Sequence, residues 1–159
     1  MSTERSRQVL HDCETLLAAI KSDISSNLWR PRWAGLVALL RAVGHVLVSE
    51  NPKTDPIGYG VVSGAKTALL KAPIFAEFIK KERDNVLKTY TAAVGVRTIM
   101  TPGTAGGGSG EPTTYEAFVG SGPYKAQDPL QLCEQAIDFW KHYLDAIDAQ
   151  VLKAAGGKS

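Results

Sequence analysis

The sequence has few of the residues that form covalent cross-links or metal sites. Only two cysteines, Cys13 and Cys133, and three histidines, His11, His45 and His142, occur among its 159 residues. A small disulfide scaffold needs several cysteine pairs, and a metal site needs several His, Cys or carboxylate ligands that converge. Because the histidines fall in three different predicted helices, we expect no metal and no cofactor. We expect both cysteines to be reduced core residues.

A strong net charge and an apolar leader are also missing. The chain carries 18 Lys plus Arg against 16 Asp plus Glu, a formal net charge of +2. Such a charge is too small to attract phosphates over the whole surface, so any nucleic-acid contact must be local. Residues 1–8 are polar and lack the core of a signal peptide, and no stretch approaches the roughly 20 apolar residues of a membrane span. We therefore expect a soluble cytoplasmic protein.

The apolar residues, 44% of the chain, recur mostly at helical spacing. The pattern predicts helices over about Glu4 to Ser25, Pro31 to Ser49, Ser63 to Lys71, Pro73 to Ala92, and from Asp128 and Pro129 to Val151. Residues 154–159 are small and polar and are expected to fray as a flexible tail. The helix from Pro73 to Ala92 is called the Arg83 helix below.

The segment before the last helix has a different composition. Val94 to Met100 and Thr114 to Val119 are rich in β-branched and aromatic residues. Between them, Thr101 to Pro112 contains five glycines but no Gly-Lys-Ser or Gly-Lys-Thr, which favours a flexible linker over a phosphate loop. We predict one all-α domain over residues 1–159. It is an up-and-down bundle of four to five helices with a small β-hairpin-like excursion at 95–127.

The Arg83 helix places a charge where an apolar residue is expected. Seven residues separate Arg83 from Tyr90, so at 100° per residue both side chains lie on one face, together with Phe75 and Ile79. A desolvated guanidinium must either pair with a carboxylate or open onto a cleft. Lys80, Asp84, Asn85 and Lys88 would make such a cleft able to hold a phosphate.

The run from 78 to 90, FIKKERDNVLKTY, resembles the signature helix of the HEPN superfamily of small prokaryotic helical domains. The motif of that family is an Arg, usually followed by a polar residue, and then a His after four to six intervening positions. Some members carry a Tyr two residues beyond the His. Arg83 matches the Arg, Asp84 the polar residue and Tyr90 the trailing Tyr, whereas Lys88 stands at the position expected for His.

The resemblance implies a helical bundle that forms a homodimer with the two motifs facing a shared cleft. Active members are metal-independent ribonucleases, and others bind RNA or protein partners without catalysis. In a cleaving form Arg83 would steady the scissile phosphate, and Tyr90 or Lys88 would assist proton transfer. Since Lys88 cannot act as the usual neutral-pH base, the resemblance implies an RNA-binding domain or a degenerate ribonuclease, with cleavage residual or absent.

Several residues are candidates for nucleic-acid contacts. On the Arg83 helix they are Arg83, Asp84, Asn85, Lys88 and Lys80, and near the start of the second helix they are Arg30 and Arg32. The latter two alternate with Trp29 and Trp33, a composition suited to stacking on bases, although anchoring the helix start in the core is the favoured role of the tryptophans. Arg41 and His45 lie one turn apart and could share a phosphate.

Two other functions fit the same residues. A non-catalytic scaffold or protein-interaction domain of a prokaryotic defence or toxin-antitoxin system predicts that Arg83 pairs with a carboxylate in the core. A small-molecule sensor predicts a pocket between helices, lined by Trp33, Phe75, Phe78 and Trp140.

Overall fold

The computed structural model describes residues 3–24, 27–100 and 113–157. Over these residues the chain forms α1 (Glu4–Ser22), α2 (Trp29–Glu50), α3 (Pro56–Lys71), the Arg83 helix, β1 (Val94–Met100), β2 (Thr113–Val119) and α5 (Pro129–Gly156). The Arg83 helix covers residues 74–89 in three successive segments. These are a π-helical segment (Ile74–Ile79), the α-helical turn α4 (Lys80–Asp84) and a second π-helical segment (Asn85–Thr89).

The predicted fold class, an all-α bundle with a small hairpin before the last helix, is confirmed. Side chains from all the helices meet in one apolar core, in which Trp33, Phe75 and Trp140 are the largest fully buried residues. Cys13 and Cys133 are both buried and free. Burial raises the pKa of Cys13 to about 12 and that of Cys133 well above its ordinary value, so both behave as inert core thiols.

Helix α3 starts seven residues earlier than the predicted Ser63. Its glycines suggested a connecting loop, but Asp55 caps the helix by accepting a hydrogen bond from the Gly58 amide at 3.2 Å. A Cβ atom at Gly58 would overlap the side-chain oxygens of Asn51 and Asp55. That glycine is therefore required by the tight helix start rather than by flexibility.

Other boundaries differ by a few residues. Helix α1 ends at Ser22 and α2 begins at Trp29, so Pro31 lies inside the first turn of α2, where its missing amide proton is not needed. Helix α5 continues to Gly156 and so includes the first residues of the segment 154–159, which is expected to fray. The glycine-rich segment 101–112 lies outside the described residues.

The hairpin is tied to the bundle at its base. Strands β1 and β2 pair in antiparallel register with Val94 opposite Val119, and both of these side chains are buried. The Gly120 amide donates to the Ala93 carbonyl at 2.7 Å and extends the pairing by one link. This arrangement fixes the chain immediately after the Arg83 helix.

Helix α2 corrects the expectation that no segment is long and apolar enough to cross a membrane. An 18-residue stretch of this 22-residue helix has a mean hydropathy of 1.3, so the helix is long and apolar enough by length and composition alone. Its most apolar face, with Leu36, Val37, Leu40 and Val43, is fully buried in the core. A helix in the centre of a bundle needs the same composition as a membrane span.

Candidate functional site

The buried charge of the Arg83 helix is Glu82 rather than Arg83. Glu82 is only 3% exposed. Its Oε1 accepts a hydrogen bond from Trp33 Nε1 at 2.8 Å, and its Oε2 accepts one from the Ala93 amide at 3.1 Å. The carboxylate thus links the Arg83 helix to α2 and to the start of the hairpin. The predicted apolar stripe containing Arg83 is wrong by one residue.

The spacing of the buried residues explains this shift. The buried face follows Phe75, Phe78, Ile79, Glu82 and Val86. This is the 3-4 spacing of a helix face, which places Glu82 in the stripe and Arg83 about 100° to its side. Thr89 is the last helical residue and Tyr90 follows it with a left-handed backbone, so Tyr90 does not continue the face on which Arg83 lies.

Arg83 lies on the partly exposed side of the helix in a short chain of ion pairs. Its Nη1 lies 2.8 Å from Asp84 Oδ1, and Lys88 Nζ lies 2.9 Å from Asp84 Oδ2. The hydrogen bond from Arg83, followed by that from Lys88, lowers the pKa of Asp84. The side chains of Arg83, Asp84 and Lys88 are 34%, 29% and 64% exposed. One carboxylate therefore orients two cations that solvent can reach.

Tyr90 ends the helix in a different environment. Its φ of 54° is in the left-handed region, which is unusual for a residue other than glycine and marks local strain. The side chain is 68% exposed, and the Arg30 guanidinium carbon lies 5.4 Å from the centroid of its ring. Beside Arg30, Trp29 stacks on the buried Trp33 with 5.5 Å between ring centroids. The site predicted around Arg83 and Tyr90 is thus divided into two parts.

Helix α2, which carries Arg41 and His45, packs against the α4 turn that carries Arg83. Burial, followed by the positive charge of Arg83, lowers the pKa of Arg41. Burial, followed by the charges of Arg41 and Arg83, also lowers the pKa of His45. The sequence indicated Arg41 and His45 as a pair one turn apart, but their link to Arg83 crosses between helices and leaves no spacing signal.

The remaining predicted residues divide between two surfaces. Arg32 Nη1 lies 3.5 Å from Asp23 Oδ2, beyond the end of α1, and so the structure does not bring Arg32 to the Arg83 helix. Lys80, Asp84 and Asn85 instead line a groove of about 400 Å³ between the Arg83 helix and the end of α3. This groove adjoins the Arg83 ion pairs through Asp84.

The structure does not show the geometry that was predicted for a scaffold domain or for a small-molecule sensor. Arg83 pairs with Asp84 near the surface and not with a core carboxylate, as the scaffold hypothesis required. The sensor pocket is filled, since Trp33 packs on Phe78 and Phe75 packs edge-on against Trp140. A cavity of about 640 Å³ lies elsewhere, between the hairpin and the start of α5.

Neither a group of metal ligands nor a similar known protein indicates a function for this site. Within residues 3–24, 27–100 and 113–157, no group of three or more His, Cys, Asp or Glu side chains is placed to hold a metal ion. No family model, no curated protein and no solved structure matches the chain. Any function must therefore be argued from the side chains themselves.

Proposed function

We propose that the protein binds RNA as a HEPN-like homodimer through the surface of the Arg83 helix. The observation that supports this proposal is the position of Arg83 beside Glu82. Glu82 occupies the core and carries the structural bonds, while Arg83 remains 34% exposed and is oriented by a surface carboxylate. A guanidinium held in this way has free N–H donors for a phosphate, which it can bind in a bidentate manner.

The flanking residues supply further contacts of the kind RNA requires. Lys80, Asn85 and Lys88 are exposed beside Arg83 and provide local positive charge and hydrogen-bond donors. At the end of the helix, Tyr90 presents an exposed ring on which a base can stack, and Arg30 lies over that ring. These features concentrate phosphate and base contacts on a protein of small net charge.

Binding is favoured over cleavage within this proposal. A cleaving form requires a proton-transferring group beside the phosphate held by Arg83. Tyr90 contacts Arg30 instead of Arg83, and the Lys88 ammonium donates to Asp84. Any residual cleavage would be independent of metal ions and would depend on Arg83, with Lys88 or Tyr90 assisting.

Fluorescence anisotropy with a labelled single-stranded RNA at low salt tests the proposal. We expect the wild type to bind and Arg83→Ala to lose about tenfold or more in affinity, since a charge-assisted hydrogen bond to phosphate is removed. Arg5→Ala is the matched control, because Arg5 is an exposed arginine whose side chain is not part of this surface. The proposal fails if the wild type ignores RNA.

Sedimentation analysis tests the homodimer separately. We expect a dimer at micromolar protein concentration. A protein that stays monomeric while binding RNA would contradict the HEPN-like assembly but would leave the binding surface intact.

A further inference from the structure

The guanidinium of Arg41 is partly desolvated, and no carboxylate of the described residues forms an ion pair with it. Its side chain is half-buried in the bundle, and its guanidinium carbon lies 5.0 Å over the Phe75 ring. Along the described chain, no Asp or Glu forms an ion pair with it. Taking a charge out of water without an opposite charge is costly, and a second positive charge nearby increases that cost. The arrangement is suited to an anion supplied from outside.

The geometry of α2 places this cation along the same junction as Arg83. Eleven residues at 100° each return to within about 20° of the start, so Arg30 and Arg41 lie on one face of α2. Arg30 contacts Tyr90 at the end of the Arg83 helix, whereas Arg41 contacts Phe75 near its start. The two helices therefore run antiparallel along this face, and Arg83 falls between the two contacts.

His45 lies one helical turn beyond Arg41 and is exposed to solvent. Burial, followed by the charges of Arg41 and Arg83, lowers its pKa, and α2 packs directly against the α4 turn that carries Arg83. Asp84 is the carboxylate that acts on Arg41 from the Arg83 helix, and it is already bonded to Arg83 and Lys88. The local charge is therefore positive even with a neutral His45.

We propose that Arg41, His45 and Arg83 together form a subsite for one phosphate group, which in the RNA complex is a backbone phosphodiester. The inference deepens the proposed function and rests on it for the identity of the bound polymer. Two guanidinium groups on different helices hold the phosphate oxygens from two sides.

An NMR titration with inorganic phosphate tests the subsite without RNA. We expect saturable shifts of the Arg41 Nε–Hε signal and of the His45 ring signals. The ring of His142, which is exposed on α5, serves as an internal control and should not move. In Arg41→Gln and in Arg83→Gln the His45 shift should disappear, while Arg5→Gln should leave it unchanged. A His45 shift that is absent, or that persists in Arg41→Gln, overturns the inference.

Measuring RNA binding by variants of Arg41 and His45 tests this inference separately from the proposed function. We expect Arg41→Gln to weaken RNA binding about tenfold and Arg41→Lys to recover part of the loss, because Lys restores the charge without the fork of donors. His45→Gln provides a variant at an exposed position, where folding is not at risk. Urea unfolding shows that each variant is folded.

Failure of the phosphate subsite and failure of the RNA-binding function would give different results. If Arg41→Gln and His45→Gln both bind RNA as the wild type does, the subsite is wrong and the RNA-binding function stands. If the wild type shifts His45 with phosphate but binds no RNA, the subsite stands and the proposed function is wrong.

Discussion

Glu82 and Arg83 are neighbours in the chain but belong to different parts of the molecule. Glu82 is 3% exposed and accepts hydrogen bonds from Trp33 and from the Ala93 amide. Arg83 is partly exposed, and its side chain donates a hydrogen bond to the adjacent Asp84. The difference shows that a charge within an apolar helix pattern can serve the fold while the next residue remains available to a ligand.

Replacing Glu82 and replacing Arg83 should therefore lower the free energy of unfolding by different amounts. Removing the Glu82 carboxylate leaves the buried Trp33 indole N–H and the part-buried Ala93 amide without acceptors. Removing Arg83 breaks a single pair between partly exposed side chains, and such pairs contribute at most about 1 kcal/mol. Structure and function therefore separate at consecutive positions, and the following experiments test that separation.

The largest effect is expected for Glu82→Ala. We expect the free energy of unfolding to fall by about 3 kcal/mol, because the Trp33 indole N–H and the Ala93 amide each lose a buried acceptor. Urea denaturation measures the change. Glu77→Ala is the matched control, since Glu77 forms an exposed i,i+4 pair with Lys81 and should cost only a few tenths of a kcal/mol. Equal costs for the two variants would remove the structural role assigned to Glu82.

A smaller effect is expected at Tyr90, where the helix ends. Both Tyr90→Gly and Tyr90→Ala remove the ring and its contact with Arg30, but only Gly adopts φ near 54° without strain. We therefore expect the free energy of unfolding of the Gly variant to exceed that of the Ala variant by about 1 kcal/mol. RNA affinity should fall equally in both. An Ala variant as stable as the Gly variant would contradict the strained conformation.

The smallest effect is expected in the titration of His45. Its pKa lies below the ordinary value of 6.5, chiefly through burial and then through Arg41 and Arg83. We expect Arg83→Gln to raise this pKa, because a positive charge that disfavours the imidazolium is removed. NMR titration of the ring measures the shift, and Arg5→Gln should give the wild-type value. No change in Arg83→Gln would mean that the two side chains are not neighbours.

The same shift has a consequence for stability. A histidine whose pKa is lower in the folded protein contributes stability that is complete above its unfolded pKa and is lost as pH falls through the folded pKa. The free energy of unfolding of the wild type should thus fall as pH drops below about 6.5. In Arg83→Gln that contribution should be smaller.

Much of the fold was predictable from periodicity and local signals. The 3-4 repeat behind Asp128 and Pro129 gave the start of α5, and the β-branched runs gave both strands within one residue. Helix α3 was predicted too short because its glycines are used for close packing at Gly58 rather than for a loop. Such a role depends on neighbours that are distant in sequence.

The candidate site was predictable in its residues but not in its geometry. Arg83, Asp84 and Lys88 do form one cluster, as their spacing indicated. The phase of the helix was wrong because the burial of Glu82 depends on its hydrogen bonds with Trp33 and Ala93, which lie elsewhere in the sequence. The proximity of Arg41 and His45 to Arg83 was missed for a related reason, since it arises from the packing of two helices.

The most direct test of the central claim is the salt dependence of RNA binding by the wild type and Arg83→Gln, measured together with urea unfolding. If Arg83 contacts one phosphate, the slope of log K against log salt should become shallower by about 0.7, the value for one contact to a single strand. The free energy of unfolding should change by less than about 1 kcal/mol. Parallel slopes, or a loss of stability of about 3 kcal/mol, would show instead that Arg83 serves the fold and not the ligand.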